Sequence, residues 1–387
     1  MAAESPADSA RSARSTGAVG AVPGRKGAAP LTIYDVARRA GVSIASVSRV
    51  LNGHSTPRPE TRESVLRAVR ELGYVPDGAA RALSSRLKEV VSVVFRQPRL
   101  EPSGEPEFQD EADSLVFIDV VNRGIELTAQ LRGYDLLLSS VDINDHTPGP
   151  KIAKLASKSD GIILHDRVLT PSGVVRLADR IPVVTLAGTP TRASVNISGD
   201  NAAGMRELVR HLLSVHGYRS IAYLSGHSDS PDGLARGRVV REVAGEFGVP
   251  VSDGARWVGE YSAAGGARAI RRLLAAGEKP PRAICCANDQ TALGVIYELR
   301  EHGYSVPGDV AVTGFDDVSV ARHVSPPLTT VRQPIQELGA KAFEVLHALI
   351  GGQRPQQRQV LLPVQVVYRS SCGCPPDPAP PARRQNP

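Results

Sequence analysis

The chain has 387 residues, of which 41% are hydrophobic and 4% are aromatic. This length exceeds one typical domain and predicts two or three units with aliphatic cores. Residues 1–90 hold 14 Lys and Arg against 8 Asp and Glu, whereas the remaining residues hold 32 of each, so the net charge of +6 lies entirely in the first quarter. This asymmetry favours a polyanion-binding head on a neutral body; the simpler alternative is a merely solvated basic surface.

Other features exclude whole classes of protein. No apolar run reaches membrane length and no charged-then-apolar leader opens the chain, so we expect a soluble, cytoplasmic protein that binds no membrane. Four cysteines in a chain this long do not form a disulfide framework. Cys285 and Cys286 lie in an apolar run and are predicted to be buried thiols. Cys372 and Cys374 form a lone Cys-Gly-Cys without a second ligand pair, and we predict no metal site and no cofactor.

Residues 1–30 have no hydrophobic period and predict a disordered arm. Residues 31–76 predict a helix-turn-helix head, which begins with the stretch LTIYDVARRAGVSIASVSRVLN. Thr32 is a good N-cap, because its hydroxyl can accept from a free backbone N–H of the first turn. Gly41 permits a sharp turn, and Ser43 caps the second helix. Val47 and Val50–Leu51 can face the first helix, which leaves an outward face of Ile44, Ala45, Ser46 and Arg49.

A third helix is predicted from about Pro59 to Leu72. Its apolar residues are spaced to pack on the first two helices, and they are Val65, Leu66, Val69 and Leu72. A helical hairpin with no role in DNA binding is the simpler alternative for the head, because a short motif alone has a real false-positive rate. Residues 77–88 connect head to body. Alone they are too few for a stable helix in water, but they can become helical against a partner and DNA.

Residues 89–371 alternate between apolar strands and amphipathic helices. The predicted strands are Val90–Phe95, Tyr134–Val141, Gly161–Leu164, Ile181–Ala187, Ile221–Gly226, Ala283–Asn288 and Val310–Asp317, and the helices between them include Val121–Leu131, Ala202–Val215 and Gly265–Ala276. Continuous apolar strands separated by helices predict an α/β fold with parallel sheets covered on both faces. There are too many units for one sheet, so we expect two lobes with ligands beyond the carboxyl ends of strands.

Two segments predict irregular structure. Residues 96–114 are polar, acidic and proline-rich, and residues 372–387 form a tail of mostly Pro, Ala and Arg that predicts disorder.

The chain resembles the LacI/GalR family of bacterial transcription regulators. The run Thr32–Asn52 is similar to the signature of that family, and PRPETRESVLRAVRELGYVPDGAARAL is similar to its third helix and hinge. Further matches continue to Cys374, so the resemblance covers about 340 residues in order, which is far more specific than one short motif. The resemblance implies a periplasmic-binding-protein-like body with a cleft between two lobes. Family members that form tetramers carry a C-terminal heptad helix, which this tail lacks, so we expect a homodimer.

The resemblance also assigns residues that contact double-stranded DNA. Ile44 and Ala45 occupy positions that choose the operator sequence, and Arg49 is suited to a bidentate contact with guanine. An ion pair of Arg49 with Asp35 is the alternative. The remaining DNA-binding residues are predicted to contact a base, the DNA backbone or the minor groove: Ser46, Thr32, Ser48, Asn52, Ala80 and Leu83. Leu83 would enter a base step, or would simply pack on the body. Arg58 replaces the Ser N-cap that is common in the family.

The predicted effector site follows from the same resemblance. Its residues are Phe117, Arg236, Tyr261, Asn288 and Asp316, with roles in clamping, stacking on and hydrogen-bonding a small molecule. Each has a local alternative: a helix cap for Asn288 and Asp316, the edge of the core for Tyr261, and the surface for Arg236. The sequence departs from the family at Ala187–Pro190 and around Val239 and Val240, which predicts a partly altered pocket.

These observations together predict a repressor of sugar-utilisation genes, controlled by a small-molecule effector that we expect to be a sugar. A periplasmic-type transport protein would share the body but would not need the head. An enzyme is not expected, because the sequence contains no nucleotide-binding loop and no nucleophile motif. The pairs His165–Asp166 and Asp316–Asp317 could imitate acid–base pairs, but no nucleophile or metal set accompanies them. An architectural DNA-binding protein would not need the polar cleft residues.

Overall fold

The computed structural model describes residues 31–51, 56–74, 87–97 and 108–375, with side chains from residue 116 in the last range. The predicted arm, most of the hinge segment and the tail beyond residue 375 lie outside these residues. Leu87 and Lys88 are the two predicted hinge residues that are described, and neither is helical. The chain divides into two compact units, Met1–Arg81 and Ala82–Pro387.

The first unit contains three helices, numbered in chain order: α1 (Ile33–Ala40), α2 (Ile44–Leu51) and α3 (Pro59–Leu72). Their shared core is aliphatic apart from one tyrosine, and its fully buried members are Val36, Ala37, Val47, Val50, Val65, Ala68 and Tyr74. The hydroxyl of Ser64 on α3 donates to the carbonyl of Ala40 at 3.0 Å, which fixes α3 against the end of α1.

One detail of α3 differs from expectation. Leu66 is exposed, so the prediction that it packs inward was wrong. The buried residues are Val65 and Ala68, which are three residues apart and therefore share one helix face, whereas Leu66 is turned about 100° from Val65. Arg58 is the N-cap of α3 and makes no side-chain capping bond.

The second unit contains two lobes. The first lobe has a six-stranded parallel sheet in the order β11-β5-β4-β3-β1-β2. Its elements are β1 (Val90–Gln97), β2 (Asp135–Asp142), β3 (Gly161–His165), β4 (Val183–Leu186), β5 (Val195–Gly199), β11 (Gln359–Leu362), α4 (Phe108–Gln130), α5 (Gly149–Ala156), α6 (Pro171–Ala178) and α11 (Ile335–Ile350). The hydrophobic clusters on this sheet bury Ile163 and Ile162.

The second lobe has a four-stranded parallel sheet in the order β7-β6-β8-β9. Its elements are β6 (Ile221–Leu224), β7 (Val251–Ser252), β8 (Ala283–Cys286), β9 (Ala311–Thr313), α7 (Asn201–Ser214), α8 (Pro231–Glu246), α9 (Ala263–Ala275) and α10 (Asp289–Glu301). Cys285 and Cys286 are buried in this sheet, as predicted. The parallel α/β fold with two lobes is confirmed.

Three chain crossings join the lobes. The first leads from β5 into α7 through Asp200, and the second leads from β10 (Thr330–Arg332) through Gln333 into α11. The third leads from β11 into β12 (Gln365–Val367), which pairs antiparallel with β10. Only these short segments connect the lobes. Changes in a few of their backbone torsion angles can therefore alter the orientation of one lobe relative to the other.

The prediction of irregular structure was partly wrong for both segments. Strand β1 continues to Gln97 and α4 already begins at Phe108, although the sequence there has no apolar repeat from which a helix can be recognised. Residues Ser370–Cys372 form a short 3₁₀ helix in which Cys372 is buried, so disorder was wrongly predicted for Cys372. No helix among the described residues is long and apolar enough to cross a membrane.

Candidate functional site

The first two helices are fixed by local hydrogen bonds at their ends. Thr32 is the N-cap of α1, and its backbone N–H and hydroxyl both donate to the carboxylate of Asp35, at 2.9 and 2.7 Å. These bonds lower the pKa of Asp35, with Arg38 as a smaller cause. Gly41 has a φ of +68°, the left-handed conformation that glycine tolerates best, and it ends α1. The N–H of Ser46 donates to the hydroxyl of Ser43 at 3.2 Å, so Ser43 caps α2 as predicted.

Helix α2 divides into a buried and an outward face. Val47 and Val50 are buried, whereas Ile44, Ala45 and Arg49 are exposed, with 40% exposure at Ile44. Ser46 and Ser48 are intermediate. The alternative pairing of Arg49 with Asp35 is not present, because Asp35 pairs with Arg38 at 2.9 Å. Three predicted DNA-binding residues lie outside the described residues, namely Asn52, Ala80 and Leu83.

A cavity of about 370 Å³ lies between the two lobes of the second unit. All five predicted effector residues line it: Phe117, Arg236, Tyr261, Asn288 and Asp316. A larger hollow of about 670 Å³ is lined by the first lobe alone and includes none of the five. Convergent polar groups in a concave site mark a ligand pocket better than volume does, so the smaller cavity is the candidate site.

Arg236 is a fixed cation in the second-lobe wall. It lies on α8 and is 3% exposed. Its Nε donates to Asn201 Oδ1 at 2.7 Å, its Nη1 donates to the carbonyl of Ala287 at 2.5 Å, and its Nη2 lies 3.6 Å from Asp232 Oδ2. The guanidinium also lies 3.7 Å from the centroid of the Phe315 ring, within cation–π range. Arg236 is therefore buried and oriented rather than on the surface.

Asp316 lies just after β9, with a φ of +118°. Its Oδ1 accepts from Gln333 Nε2 at 2.7 Å, and burial raises its pKa to about 6. Gln333 is 5% exposed, and its Oε1 has no hydrogen-bond partner among the described residues. This oxygen faces Gly199 at the end of β5, where it is buried without a donor at a cost of about 1–3 kcal/mol. Gln333 belongs to no sequence motif, so sequence reasoning missed it.

Asn288 and Tyr261 are both held by neighbours. Asn288 caps α10, because its Oδ1 accepts from the N–H of Thr291 at 3.0 Å, so the helix-cap alternative is correct for this residue, which also lines the cavity. Its Nδ2 donates to the carbonyl of Tyr261 at 3.1 Å. The phenol of Tyr261 lies 2.8 Å from Ser230 Oγ, and burial raises its pKa. A Cβ on Gly226 would lie 2.1 Å from the Tyr261 ring, so only glycine fits there.

The first-lobe wall is built from the ends of β1, β3 and β4. Phe117 on α4 belongs to it, together with Arg96, His165, Asp166 and Arg167. Burial lowers the pKa of His165 to about 4, so its ring is neutral at pH 7, and its Nε2 lies 3.2 Å from Asn122 Oδ1. Burial raises the pKa of Asp166 to about 6.

Two contacts cross the cleft from this wall. Ser230 Oγ of the second lobe donates to Asp166 Oδ2 at 3.3 Å. Arg167 Nε forms an ion pair with Asp229 Oδ1 at 2.7 Å, and the Asp229 side chain is 68% exposed. Asp317, the second member of the other acidic pair, instead forms ion pairs with Arg332 and Arg369 and supports the fold.

The departures from the family pattern fall in two places. Ala187 lines the cavity on the first-lobe side, with a φ of +53°. Val239 and Val240 are buried in the second-lobe core and do not line the cavity. The altered part of the pocket is therefore confined to Ala187.

Comparisons with known proteins agree with this architecture. The profile "Bacterial regulatory proteins, lacI family" matches residues 32–77, and the profile "Periplasmic binding protein-like domain" matches residues 209–372. Catabolite control protein A of Priestia megaterium is 33% identical over 347 residues, covering 88% of this chain and 99% of that protein. The chain belongs to the lacI family of bacterial regulatory proteins. The regulator CelR of Thermobifida fusca, a second relative, is 30% identical over 88% of this chain and 98% of its own length.

Solved structures of lacI family members match the whole described fold. The lac repressor dimer bound to operator and the anti-inducer ONPF superposes with a TM-score of 0.76 at 27% identity, covering 89% of this chain and 99% of that one. The CelR–cellobiose complex superposes with a TM-score of 0.61 at 28% identity, covering 88% and 99%. As a lacI family member the chain is a transcription regulator, which favours that function over the transport protein considered from the sequence.

Proposed function

We propose that this chain is a repressor that binds a palindromic DNA operator as a homodimer and senses a sugar in the cleft between its lobes. The observation that carries the proposal is the combination of an exposed outward face on α2 with a polar cavity in the second unit. The solved lac repressor relative is a dimer on operator DNA, and the CelR relative was solved with cellobiose.

For DNA recognition, α2 is the helix that enters the major groove. Ile44 and Ala45 carry no hydrogen-bonding group, so they would select bases by contact with thymine methyls or by steric fit. Arg49 is exposed and its guanidinium fork suits the two acceptors of guanine. Thr32, Ser46 and Ser48 would fix the register, and the same proposal assigns Asn52 to the DNA backbone and Ala80 and Leu83 to the minor groove.

For effector binding, the second lobe offers a cation, carboxylate and amide groups at fixed positions. A sugar supplies several hydroxyls that each donate and accept, which matches Arg236 as donor and Asp316 as acceptor. Tyr261 and Phe117 supply aromatic surface for the apolar face of a sugar ring. Asn288 contributes its lining surface, because both of its polar atoms already have partners.

The coupling between the two sites requires two states. A sugar changes DNA affinity only by its differential affinity for two lobe arrangements. The chain crossings described above are the segments that would carry this change within the second unit. The proposed function needs no catalysis and no cofactor, and a DNA regulator of this kind acts in the cytoplasm.

The test is a fluorescence anisotropy titration of a labelled palindrome from the upstream region of this gene, followed by a panel of sugars. We expect one sugar to shift the DNA affinity: release would identify an inducer, and tightening would identify a corepressor. A complex that no sugar alters would exclude the sugar part of the proposal, and absence of specific binding to any palindrome would exclude the operator part.

Arg49→Ala tests the DNA contact directly. We expect specific binding to weaken by about 1–3 kcal/mol while binding to random DNA stays nearly unchanged. Arg67→Ala is the matched control, because Arg67 is an exposed arginine on α3 and its removal changes the net charge equally. Equal loss on operator and random DNA in the Arg49→Ala protein would reject the base contact.

A further inference from the structure

Four potential metal ligands meet in the second lobe, away from the cleft. They are His211, His216, Cys372 and Cys374, and their ligand atoms all lie within 4.8 Å of one another. The Nε2 atoms of the two histidines are 3.0 Å apart. Cys374 Sγ lies 3.2 Å from His211 Nε2 and 3.6 Å from His216 Nε2, and Cys372 Sγ lies 3.7 Å from His211 Nε2.

These separations are close to the edges of a small tetrahedron: those of 3.6 and 3.7 Å agree with it, and those of 3.0 and 3.2 Å are slightly shorter, so a small side-chain adjustment would accommodate an ion. With Zn–N bonds of about 2.0–2.1 Å and Zn–S bonds of about 2.3 Å, a tetrahedral centre requires ligand separations of roughly 3.3–3.8 Å. We propose that these four side chains bind one Zn²⁺ ion as a closed Cys₂His₂ site. Two imidazoles and two thiolates in tetrahedral arrangement favour zinc over the hard cations that prefer oxygen.

The local backbone brings each ligand pair together. His211 lies in the last turn of α7, and the chain turns back after the helix so that the N–H of His216 donates to the carbonyl of His211 at 3.4 Å. Cys372 ends the short 3₁₀ helix, and Gly373 follows with a φ of +104°. A Cβ on Gly373 would lie 2.9 Å from Tyr218 Oη and 3.3 Å from the His216 ring, so glycine is needed both for the turn and for space.

The surrounding side chains orient the ligands. The Tyr368 ring lies 4.2 Å from the His211 ring, and the Tyr218 ring stacks on His216 at 5.5 Å. Tyr218 Oη donates to the carbonyl of Cys372 at 2.9 Å, and Thr329 Oγ1 lies 3.1 Å from Cys372 Sγ. Supporting contacts of this kind fix the direction of metal ligands. Four protein ligands leave no open position, which is typical of a structural rather than a catalytic zinc site.

The consequence is a cross-link between segments that are far apart in sequence. The zinc would join the end of α7 to the last described residues of the chain. Asn201, at the other end of α7, contacts Arg236 in the cleft wall. His211 is ten residues further along, about 15 Å at the helical rise, so the metal site is separate from the effector site. This proposal does not depend on the proposed function.

The test uses the untagged full-length protein, purified from zinc-supplemented medium with a phosphine reductant. Elemental analysis should find one zinc per chain. After removal of zinc with a chelator, Co²⁺ should give the visible absorption of a tetrahedral centre and a thiolate-to-cobalt charge-transfer band. The chelated protein should melt several degrees lower than the zinc-loaded protein, because metal binding stabilises the folded state.

Two ligand variants and one control make the result specific. Cys374→Ser and His216→Gln should lose zinc and the cobalt bands, and chelation should no longer change the melting temperature of Cys374→Ser. His323→Gln, which replaces an exposed histidine of the same lobe, should keep one zinc per chain. A wild-type protein that takes up neither zinc nor cobalt overturns the proposal. Zinc retained in both ligand variants also overturns it.

Discussion

The two walls of the cleft are built on different principles. In the second-lobe wall, Arg236 and Asp316 are held by bonds within their own lobe or to the crossing residue Gln333. In the first-lobe wall, Asp166 and Arg167 have their side-chain partners, Ser230 and Asp229, across the gap. The bonds of Arg236 therefore persist whatever the relative position of the lobes, whereas these two side-chain contacts of Asp166 and Arg167 exist only while the lobes are close.

This difference separates two tasks. A preorganised wall loses little entropy on binding and so supplies affinity. A wall whose contacts form only when the lobes close changes the relative stability of the open and closed lobe arrangements. A ligand that shifts this balance can alter a distant property such as DNA affinity. We therefore expect mutations in the second-lobe wall to act on affinity strongly and mutations in the cross-cleft contacts to act weakly on the balance between states.

The largest expected effect belongs to the fixed cation. Arg236→Lys should weaken effector binding by about 3 kcal/mol, roughly 100-fold, because an ammonium cannot bond Asn201 and Ala287 as the planar guanidinium does. Isothermal titration calorimetry with the effector identified in the sugar panel measures this change. Arg268→Lys is the control, since Arg268 lines the cavity but is half exposed and paired with Glu260. Equal effects of the two substitutions would contradict a special role for the buried arginine.

An intermediate effect is expected from pH. Burial raises the pKa values of Asp166 and Asp316 to about 6, so both are mostly ionised at pH 7.5 and mostly protonated at pH 5. Sugar hydroxyls donate best to the ionised form, so affinity should fall about tenfold for each contacting carboxylate as the pH drops to 5. By linkage the ligand lowers these pKa values, and binding at pH 6 should release protons.

Calorimetry in two buffers of different ionisation enthalpy counts those protons. Asp316→Asn keeps the shape of the side chain and should remove its share of the pH dependence. If affinity is the same at pH 5 and pH 7.5, neither carboxylate accepts a bond from the ligand.

The smallest effect is expected at the cross-cleft ion pair. Asp229→Asn should change the effector concentration for half-maximal response by less than about fivefold, because exposed ion pairs contribute only about 0–1 kcal/mol. Anisotropy titrations on operator DNA measure this shift. Asp179→Asn, at an exposed position of the first lobe, should have no effect. A shift of a hundredfold would mean that this pair, and not the second-lobe wall, dominates the response.

The second-lobe wall could be predicted through the resemblance to the family, which matches short runs of this sequence such as AND and GFDD after strands. In the first-lobe wall only Phe117 was predicted. Asp166 and Arg167 were missed, because they acquire their side-chain partners from residues more than 60 positions away. Gln333 was missed for a related reason: a single glutamine on a crossing segment belongs to no motif. The spacing of residues in the sequence indicates which side chains are close within one helix, strand or turn, but not which distant segments meet in the fold.

The same limit explains the metal ligands. Cys372 and Cys374 have no second pair near them in sequence, and the histidines that complete the cluster lie about 160 positions earlier. The start of α4 at Phe108 was also missed, because helix periodicity is recognised through apolar residues and this segment has none in a repeat. By contrast, alternation of apolar strands and helices was sufficient for the two parallel sheets.

Gln333 lies on a chain crossing and donates to Asp316, so one residue belongs both to a joint between the lobes and to the binding surface. Substitutions at Asp316 that accommodate a new ligand would then also alter the torsional preferences of the crossing. In evolution or engineering, a substitution at Asp316 that changes ligand specificity would therefore also change how strongly the ligand alters DNA affinity. Residues such as Ala187 line the cavity but do not contact a chain crossing. At such positions, ligand specificity can change without a change in the strength of the response.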